Sequence, residues 1–108
     1  MADLRWDRAF ALEQAGDDKE LLAELLELLR QTTAADLEKG RAALAAGDGK
    51  ALANAAHNTK GSAAGLGLES LRQVASDLEQ AGRAGDLATA APLLARLEEL
   101  VSQVQTVA

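Results

Sequence analysis

Three residues of this sequence, His57, Lys60 and Gly61, have types and spacing that could do chemistry together. Residues three and four apart lie on one side of a helix, so the lysine and the glycine would both flank the imidazole. A neutral imidazole is a nucleophile, and a nearby ammonium disfavours the imidazolium, so Lys60 is expected to lower the pKa of His57. The same ammonium would stabilise a phosphoryl group attached to the ring.

His57 is the one histidine of the chain, and no acidic residue is adjacent to it. With no second histidine and no cofactor loop, the covalent reaction that fits such a nucleophile is to accept a phosphoryl group and hand it on. Gly61 indicates contact with a partner. Glycine inside a helix costs about 0.5 to 1 kcal/mol relative to alanine, so helix propensity gives this alanine-rich chain no reason to have glycine there. Without a Cβ, it lets another molecule approach the imidazole. The histidine by itself is also compatible with a solvated side chain that has no role.

Helices must hold these residues, and the composition predicts helices throughout. The chain of 108 residues contains 25 alanines and 20 leucines, with four valines and no isoleucine or tyrosine. Alanine and leucine favour helices, whereas strands favour β-branched and aromatic residues. The sequence therefore predicts an all-α protein, and its length suits one domain over residues 1–108.

Glycine-containing turns divide the sequence into a short leading helix and four longer ones, at about 7–15, 17–46, 48–64, 68–82 and 86–104. Short connections make successive helices antiparallel, so the prediction is an up-down-up-down four-helix bundle with a short N-terminal lid helix. Pro92 predicts a kink or a late start in the last helix. The alternative fold is a helical fragment that packs only inside a larger assembly.

A helical wheel of the third long segment separates a core side from the side that carries His57. Residues on the core side are Leu52, Ala55, Ala56, Thr59, Ala63 and Leu66. Within about 60° of His57 lie Lys50, Ala53, Asn54, Lys60, Gly61 and Ala64. The imidazole is therefore expected to be exposed, among lysines and small residues that a partner could contact.

Several other kinds of site are excluded by the sequence. There is no cysteine for a thiolate zinc site, and the net charge of −6 argues against binding to nucleic acid or anionic membranes. The segment from Gly47 to Ala51 lacks the earlier glycine and the final Ser or Thr of a phosphate-binding loop, so no ATP site is predicted. We therefore expect a phosphocarrier that binds no cofactor and is not a kinase or other enzyme.

The segment from Ala56 to Gly67, AHNTKGSAAGLG, resembles the signature of histidine phosphotransfer (HPt) domains, A-H-x-L-K-G-S-A-x-x-x-G. Leu78-Glu79 and the Gly85-Asp86 turn also match the family, and the resemblance covers nearly the whole chain. The sequence departs from the signature at Thr59, where the family commonly has leucine and where the change is expected to loosen the packing beneath the site. It departs again at Gly65, where the family often has asparagine.

The resemblance implies an intermediate in a two-component phosphorelay. A receiver-domain aspartyl phosphate would phosphorylate His57 on Nε2, and the group would pass to another receiver. Lys60 matches the supporting lysine and Gly61 the glycine that gives the partner clearance. Partners would be receiver domains and a hybrid sensor histidine kinase, with Mg²⁺ on the receiver. Asn54, Gly61 and Ala64, joined by the neighbouring part of the second helix, are the predicted docking residues.

A different class of function remains open, namely a helical docking or regulatory module that binds signalling partners without carrying phosphate. The two functions differ in whether His57 is required: phosphoryl transfer needs it, and docking does not. The sequence has no apolar run long enough to span a membrane, and its N-terminus lacks the apolar segment of a signal peptide, so a cytoplasmic protein is expected. A monomer is expected, and the starting Met favours a stand-alone protein over a domain of a hybrid kinase.

Overall fold

Five helices follow one another in the computed structural model, which describes residues 4–104. They are α1 (Arg8–Gln14), α2 (Lys19–Ala45), α3 (Gly49–Gly65), α4 (Glu69–Arg83) and α5 (Leu87–Val104). Each corresponds to one predicted helix, and α2 continues through Gly40 without a break. The helix α5 begins at Leu87 and includes Pro92, so the late start considered for this helix does not occur.

Aspartate side chains begin four of the five helices by accepting hydrogen bonds from otherwise unpaired backbone N–H groups. The capping residues are Asp7, Asp18, Asp48 and Asp86. The cap of α2 is Asp18, one residue after the predicted start at residue 17, because Asp17 has a positive φ of 61° and belongs to the preceding turn. Each cap fixes the residue at which its helix begins, and so fixes where the preceding turn ends.

The four long helices pack in chain order, and α5 returns to pack against α2. Fully buried leucines fill the space between them, at positions 26, 52, 68, 71, 78, 97 and 100. The segment that contains α1 closes one end, where Trp6 Nε1 donates to the carbonyl of Leu66 at 2.9 Å and Asp7 N donates to that of Gly67 at 2.9 Å. The predicted helical bundle is confirmed.

The helices α3 and α4 approach closely where Gly49 faces Gly82. A Cβ added at Gly82 would lie 2.8 Å from the Gly49 carbonyl oxygen and 3.0 Å from the backbone nitrogen of Ala53. Ala53 is buried against this contact, although the wheel placed it beside His57 on the exposed side. Two glycines that allow backbones to touch therefore set the distance between α3 and α4.

Replacing Gly82 with Ala is expected to lower the free energy of unfolding by about 1 to 3 kcal/mol, the usual cost of overpacking. The matched control is Gly61→Ala, because a Cβ at Gly61 would have no heavy atom within 4 Å. That control is expected to raise stability by roughly 0.5 to 1 kcal/mol through helix propensity. Urea unfolding curves measure both effects, and equal shifts for the two variants would contradict the packing argument.

Candidate functional site

The imidazole of His57 lies on the exposed side of α3, and 58% of its side-chain surface is accessible. The predicted docking residues Asn54, Gly61 and Ala64 are exposed on the same helix. No heavy atom lies within 4 Å of the position that a Cβ would occupy at Gly61. The structure thus brings the predicted nucleophile and its small neighbours to one open face.

A buried carboxylate, Glu79 of α4, lies directly beneath the imidazole. Its Oε2 is 3.0 Å from His57 Nδ1, and its Oε1 accepts a hydrogen bond of 2.6 Å from Lys60 Nζ. Arg83, one turn further along α4, also donates to Oε2. The residue is 5% exposed, so one buried acid joins three basic side chains. Although no acid is adjacent to His57 in the sequence, the fold places one against it.

The ionisation of Glu79 decides which imidazole nitrogen carries the proton. The hydrogen bond from Lys60 holds the pKa of Glu79 below its usual value against the opposing effect of burial, and the His57 bond and the charges of Lys60 and Arg83 add to this. An ionised carboxylate can only accept hydrogen bonds. Nδ1 of His57 must therefore be the donor, which leaves the lone pair of the neutral ring on Nε2.

Lys60 makes its closest charged contact with Glu79 rather than acting on the imidazole alone. One carboxylate and two cations, Lys60 and Arg83, give the immediate surroundings of His57 a net charge of about +1, whereas the whole chain carries −6. A local positive charge in an acidic protein suits the approach of a phosphoryl group.

Glu79 and Arg83 were not predicted as site residues, although Leu78-Glu79 is part of the resemblance to HPt domains and two further signals exist. Glu79 lies at the edge of the apolar stripe of α4, one residue after the buried Leu78, where a carboxylate needs partners. Arg83 follows at the i+4 spacing that favours an ion pair. Neither of these two patterns predicts that Glu79 contacts His57, which is 22 residues away along the chain.

The family model for the Hpt domain matches residues 24–107 of this chain. The chain belongs to the Hpt domain family. It is therefore an intermediate of histidine phosphorelay signalling, in a family of phosphocarriers, not kinases, that interact with receiver domains and hybrid kinases.

Two solved structures share the fold of this Hpt domain. Histidine-containing phosphotransfer protein B from Pseudomonas aeruginosa PAO1 is 27% identical, with a TM-score of 0.86 over 94% of this chain and 88% of that one. The HPT domain of a sensor hybrid histidine kinase from Shewanella is 22% identical, with a TM-score of 0.65 over 95% and 93% of the two chains. No curated protein sequence matches significantly. Among the described residues, no helix is long and apolar enough to cross a membrane.

A buried polar pair lies on the core side of α3, behind the site of this Hpt domain. Thr59, which is 1% exposed, donates from Oγ1 to Oδ2 of Asp36 on α2 at 3.1 Å. The hydroxyl thus finds a hydrogen-bond partner on the neighbouring helix at the position where the family commonly has leucine. Burial raises the pKa of Asp36, opposed by the Thr59 hydrogen bond, the charge of Lys39 and a hydrogen bond from Asn58.

Replacing Asp36 with Asn is expected to stabilise this Hpt domain at neutral pH, by on the order of 1 kcal/mol, because an amide can still accept from Thr59 without a buried charge. A carboxyl with a raised pKa in the folded state destabilises that state when it ionises. The difference in free energy of unfolding between the variant and wild type should therefore shrink as the pH falls through the pKa of Asp36. Unfolding curves between pH 4 and 7 measure this, and an advantage independent of pH would contradict it.

Proposed function

We propose that Nε2 of His57 is the atom that carries the phosphoryl group in this Hpt domain. The observation that carries the proposal is the bond between Nδ1 and the buried Glu79, which leaves the other nitrogen as the nucleophile on an exposed ring. A nucleophile held by a second group in this way is poised for attack without further reorientation.

No proton leaves the site during the transfer step. The Nε2 lone pair attacks the phosphorus of a receiver aspartyl phosphate in line, the N–P bond forms, and the acyl O–P bond breaks to release the receiver carboxylate. The ring gains positive charge while Nδ1–H remains bonded to Glu79. The carboxylate at 3.0 Å stabilises that charge as it develops.

Glu79 also supports transfer in the opposite direction. With Nδ1 protonated, the leaving group of phosphohistidine is a neutral imidazole, which leaves far more readily than an imidazolate. By retaining the Nδ1 proton between the ring and the carboxylate, Glu79 keeps the phosphoryl group transferable to the next receiver. A relay intermediate needs both steps, and this arrangement serves both.

Lys60 and Arg83 supply the positive charge that an incoming phosphoryl group meets. Replacing Lys60 with Ala is expected to slow transfer by roughly tenfold, equivalent to about 1.4 kcal/mol, since Arg83 and the Glu79–His57 bond remain. Single-turnover transfer from a phosphorylated receiver measures the effect. Complete loss of transfer would mean that Lys60 has a more direct role in the reaction.

The receiver would contact Asn54, Gly61 and Ala64 and would bring the reacting aspartate and Mg²⁺, so that this chain needs no cofactor or catalytic activity of its own. We further propose that residues 1–108 act as one domain, that the protein is a monomer because one receiver at a time suffices, and that it works in the cytoplasm.

The test is phosphorylation of ¹⁵N-histidine-labelled protein by a panel of phosphorylated receiver domains. We expect an acid-labile, alkali-stable label on wild type, and nitrogen chemical shifts that place the phosphorus on Nε2. Attachment at Nδ1 would contradict the role of Glu79. Binding of receivers without any label, in a folded protein, would favour the docking module that carries no phosphate.

A further inference from the structure

The carboxylate beneath the imidazole joins two helices. Glu79 belongs to α4, whereas His57 and Lys60, which it contacts at 3.0 and 2.6 Å, belong to α3. A hydrogen bond from nitrogen to oxygen needs about 2.7 to 3.2 Å, so these contacts tolerate only a small change in the separation of the two helices. Whatever fixes that separation therefore also fixes the bond to Nδ1 of His57.

The backbones of α3 and α4 touch where Gly49 meets Gly82. A Cβ at Gly82 would lie 2.8 Å from the Gly49 carbonyl oxygen and 3.2 Å from Cα of Ala53, and a Cβ at Gly49 would collide with the Gly82 carbonyl oxygen. These neighbours are backbone atoms, which cannot rotate away as a side chain can. A methyl group added at either glycine therefore forces the two helices apart by several tenths of an ångström.

The glycine contact lies one helical turn from the site on both helices. Gly82 follows Glu79 by three residues on α4, and Ala53 precedes His57 by four residues on α3. Because α3 and α4 are antiparallel neighbours, the two contacts form successive layers of one interface. Residues within one turn of a helix are joined by its backbone hydrogen bonds, so a displacement of Gly82 carries Glu79 with it.

The bond to Nδ1 is the contact of Glu79 that such a displacement breaks. Arg83 lies on α4 and moves together with the carboxylate. Lys60 carries a full charge at the end of a flexible four-carbon chain, so it can follow the carboxylate. The imidazole of His57 is shorter and, when neutral, makes a weaker hydrogen bond than the two cations, so its contact at 3.0 Å is lost first.

We propose that Gly49 and Gly82 are positioning residues for phosphoryl transfer in this Hpt domain. Their contact holds Glu79 within reach of Nδ1 and so keeps the lone pair of His57 on Nε2, although Gly49 lies two turns before His57 on α3. The inference rests on the proposed function, because it takes Nε2 to be the attacking atom. It adds that the distance between two helix backbones sets how much of the neutral imidazole is in the reactive tautomer.

The first test compares Gly82→Ala with Val101→Ala, both in the full chain. Val101 is a buried residue of α5, so its truncation costs stability by loss of core packing, without adding a group between α3 and α4. Nitrogen NMR of ¹⁵N-histidine-labelled protein at alkaline pH, where imidazoles are neutral, reports which ring nitrogen carries the proton. Wild type and Val101→Ala should show the proton on Nδ1, and Gly82→Ala a mixture of both tautomers. The Nδ1–H tautomer alone in folded Gly82→Ala would overturn the proposal.

Single-turnover transfer from a phosphorylated receiver gives a second readout. At saturating receiver, Gly82→Ala should transfer roughly three- to tenfold more slowly than wild type, because misplacing a catalytic contact by about 1 Å can cost up to about a hundredfold. Receiver affinity should stay unchanged, since Gly82 is buried. Val101→Ala should transfer as wild type does. Equal slowing of the two variants would indicate a general loss of stability and would overturn the proposal.

A double variant distinguishes positioning through Glu79 from any other effect of the added methyl group. If Gly82 acts only by placing Glu79, the protein that combines Glu79→Ala with Gly82→Ala should transfer no more slowly than Glu79→Ala alone. Effects that multiply would mean that Gly82 acts by another route, which contradicts the proposal.

The variant Gly49→Ala keeps the proposal testable if Gly82→Ala does not fold. Gly49 is the first residue of α3, where a helix end can yield locally, and it lies further from His57 than Ala53 does. We expect effects in the same direction but smaller, with a minor population of the second tautomer and transfer slowed about twofold. A wild-type tautomer and rate in Gly49→Ala would overturn the proposal.

The results for wild type separate this proposal from the proposed function. Phosphorylation at Nδ1, or no phosphorylation by any receiver, would contradict the proposed function. Phosphorylation of wild type at Nε2, together with an unchanged tautomer and rate in Gly82→Ala, would contradict the positioning role of the glycines alone.

Discussion

Replacing His57 with Gln is expected to abolish phosphoryl transfer completely while changing the free energy of unfolding by less than about 0.5 kcal/mol. The imidazole is more than half exposed and makes its described hydrogen bond to Glu79, which a glutamine amide can also donate to. An amide nitrogen, however, has no lone pair available for attack on phosphorus. Function and folding therefore separate at this position.

Radiolabel transfer from a phosphorylated receiver and a urea unfolding curve measure the two halves of this prediction. Receiver affinity should stay close to wild type, because the docking contacts are retained. A His57→Gln protein that still accepts the label would place the phosphoryl group on another residue, and one that unfolds would show that the site is part of the bundle's stability.

Replacing Glu79 with Ala is expected to slow transfer by roughly 10- to 100-fold, the range typical when the carboxylate that orients a metal-bound imidazole is removed. The variant frees Nδ1, so neither tautomer is imposed, and it leaves Lys60 without its carboxylate partner. Glu79→Gln should recover part of the rate, because its carbonyl can still accept from Nδ1. Rates at saturating receiver should fall while receiver affinity changes little.

The free energy of unfolding at acidic pH independently tests the ion pairing of Glu79. Its pKa is lowered in the folded state, chiefly by the Lys60 hydrogen bond, so its stabilising contribution is present above the usual glutamate pKa and is lost as the pH falls through the lowered value. Glu79→Gln has no such titration, so its stability should fall less steeply than that of wild type below the usual pKa. Parallel curves for the two proteins would contradict the pKa direction.

Local patterns in the sequence determined most of the bundle. Alanine and leucine content, stripes at helical spacing and glycine-containing turns are properties of neighbouring residues, and they predicted all five helices and the exposure of His57. They also placed Asn54, Gly61 and Ala64 on the same face. The resemblance around His57 to the Hpt signature was confirmed by the family match.

Tertiary packing alone decided what lies beneath the imidazole. The contact of Gly49 with Gly82 sets how closely α4 approaches α3, and Glu79 lies one turn from that contact, against His57 and Lys60. Asp36 of α2 meets Thr59 of α3 across 23 residues because α2 packs against α3. Helical periodicity tells which way a side chain points, but the residue it meets depends on the register and distance between helices, which many packed side chains set together.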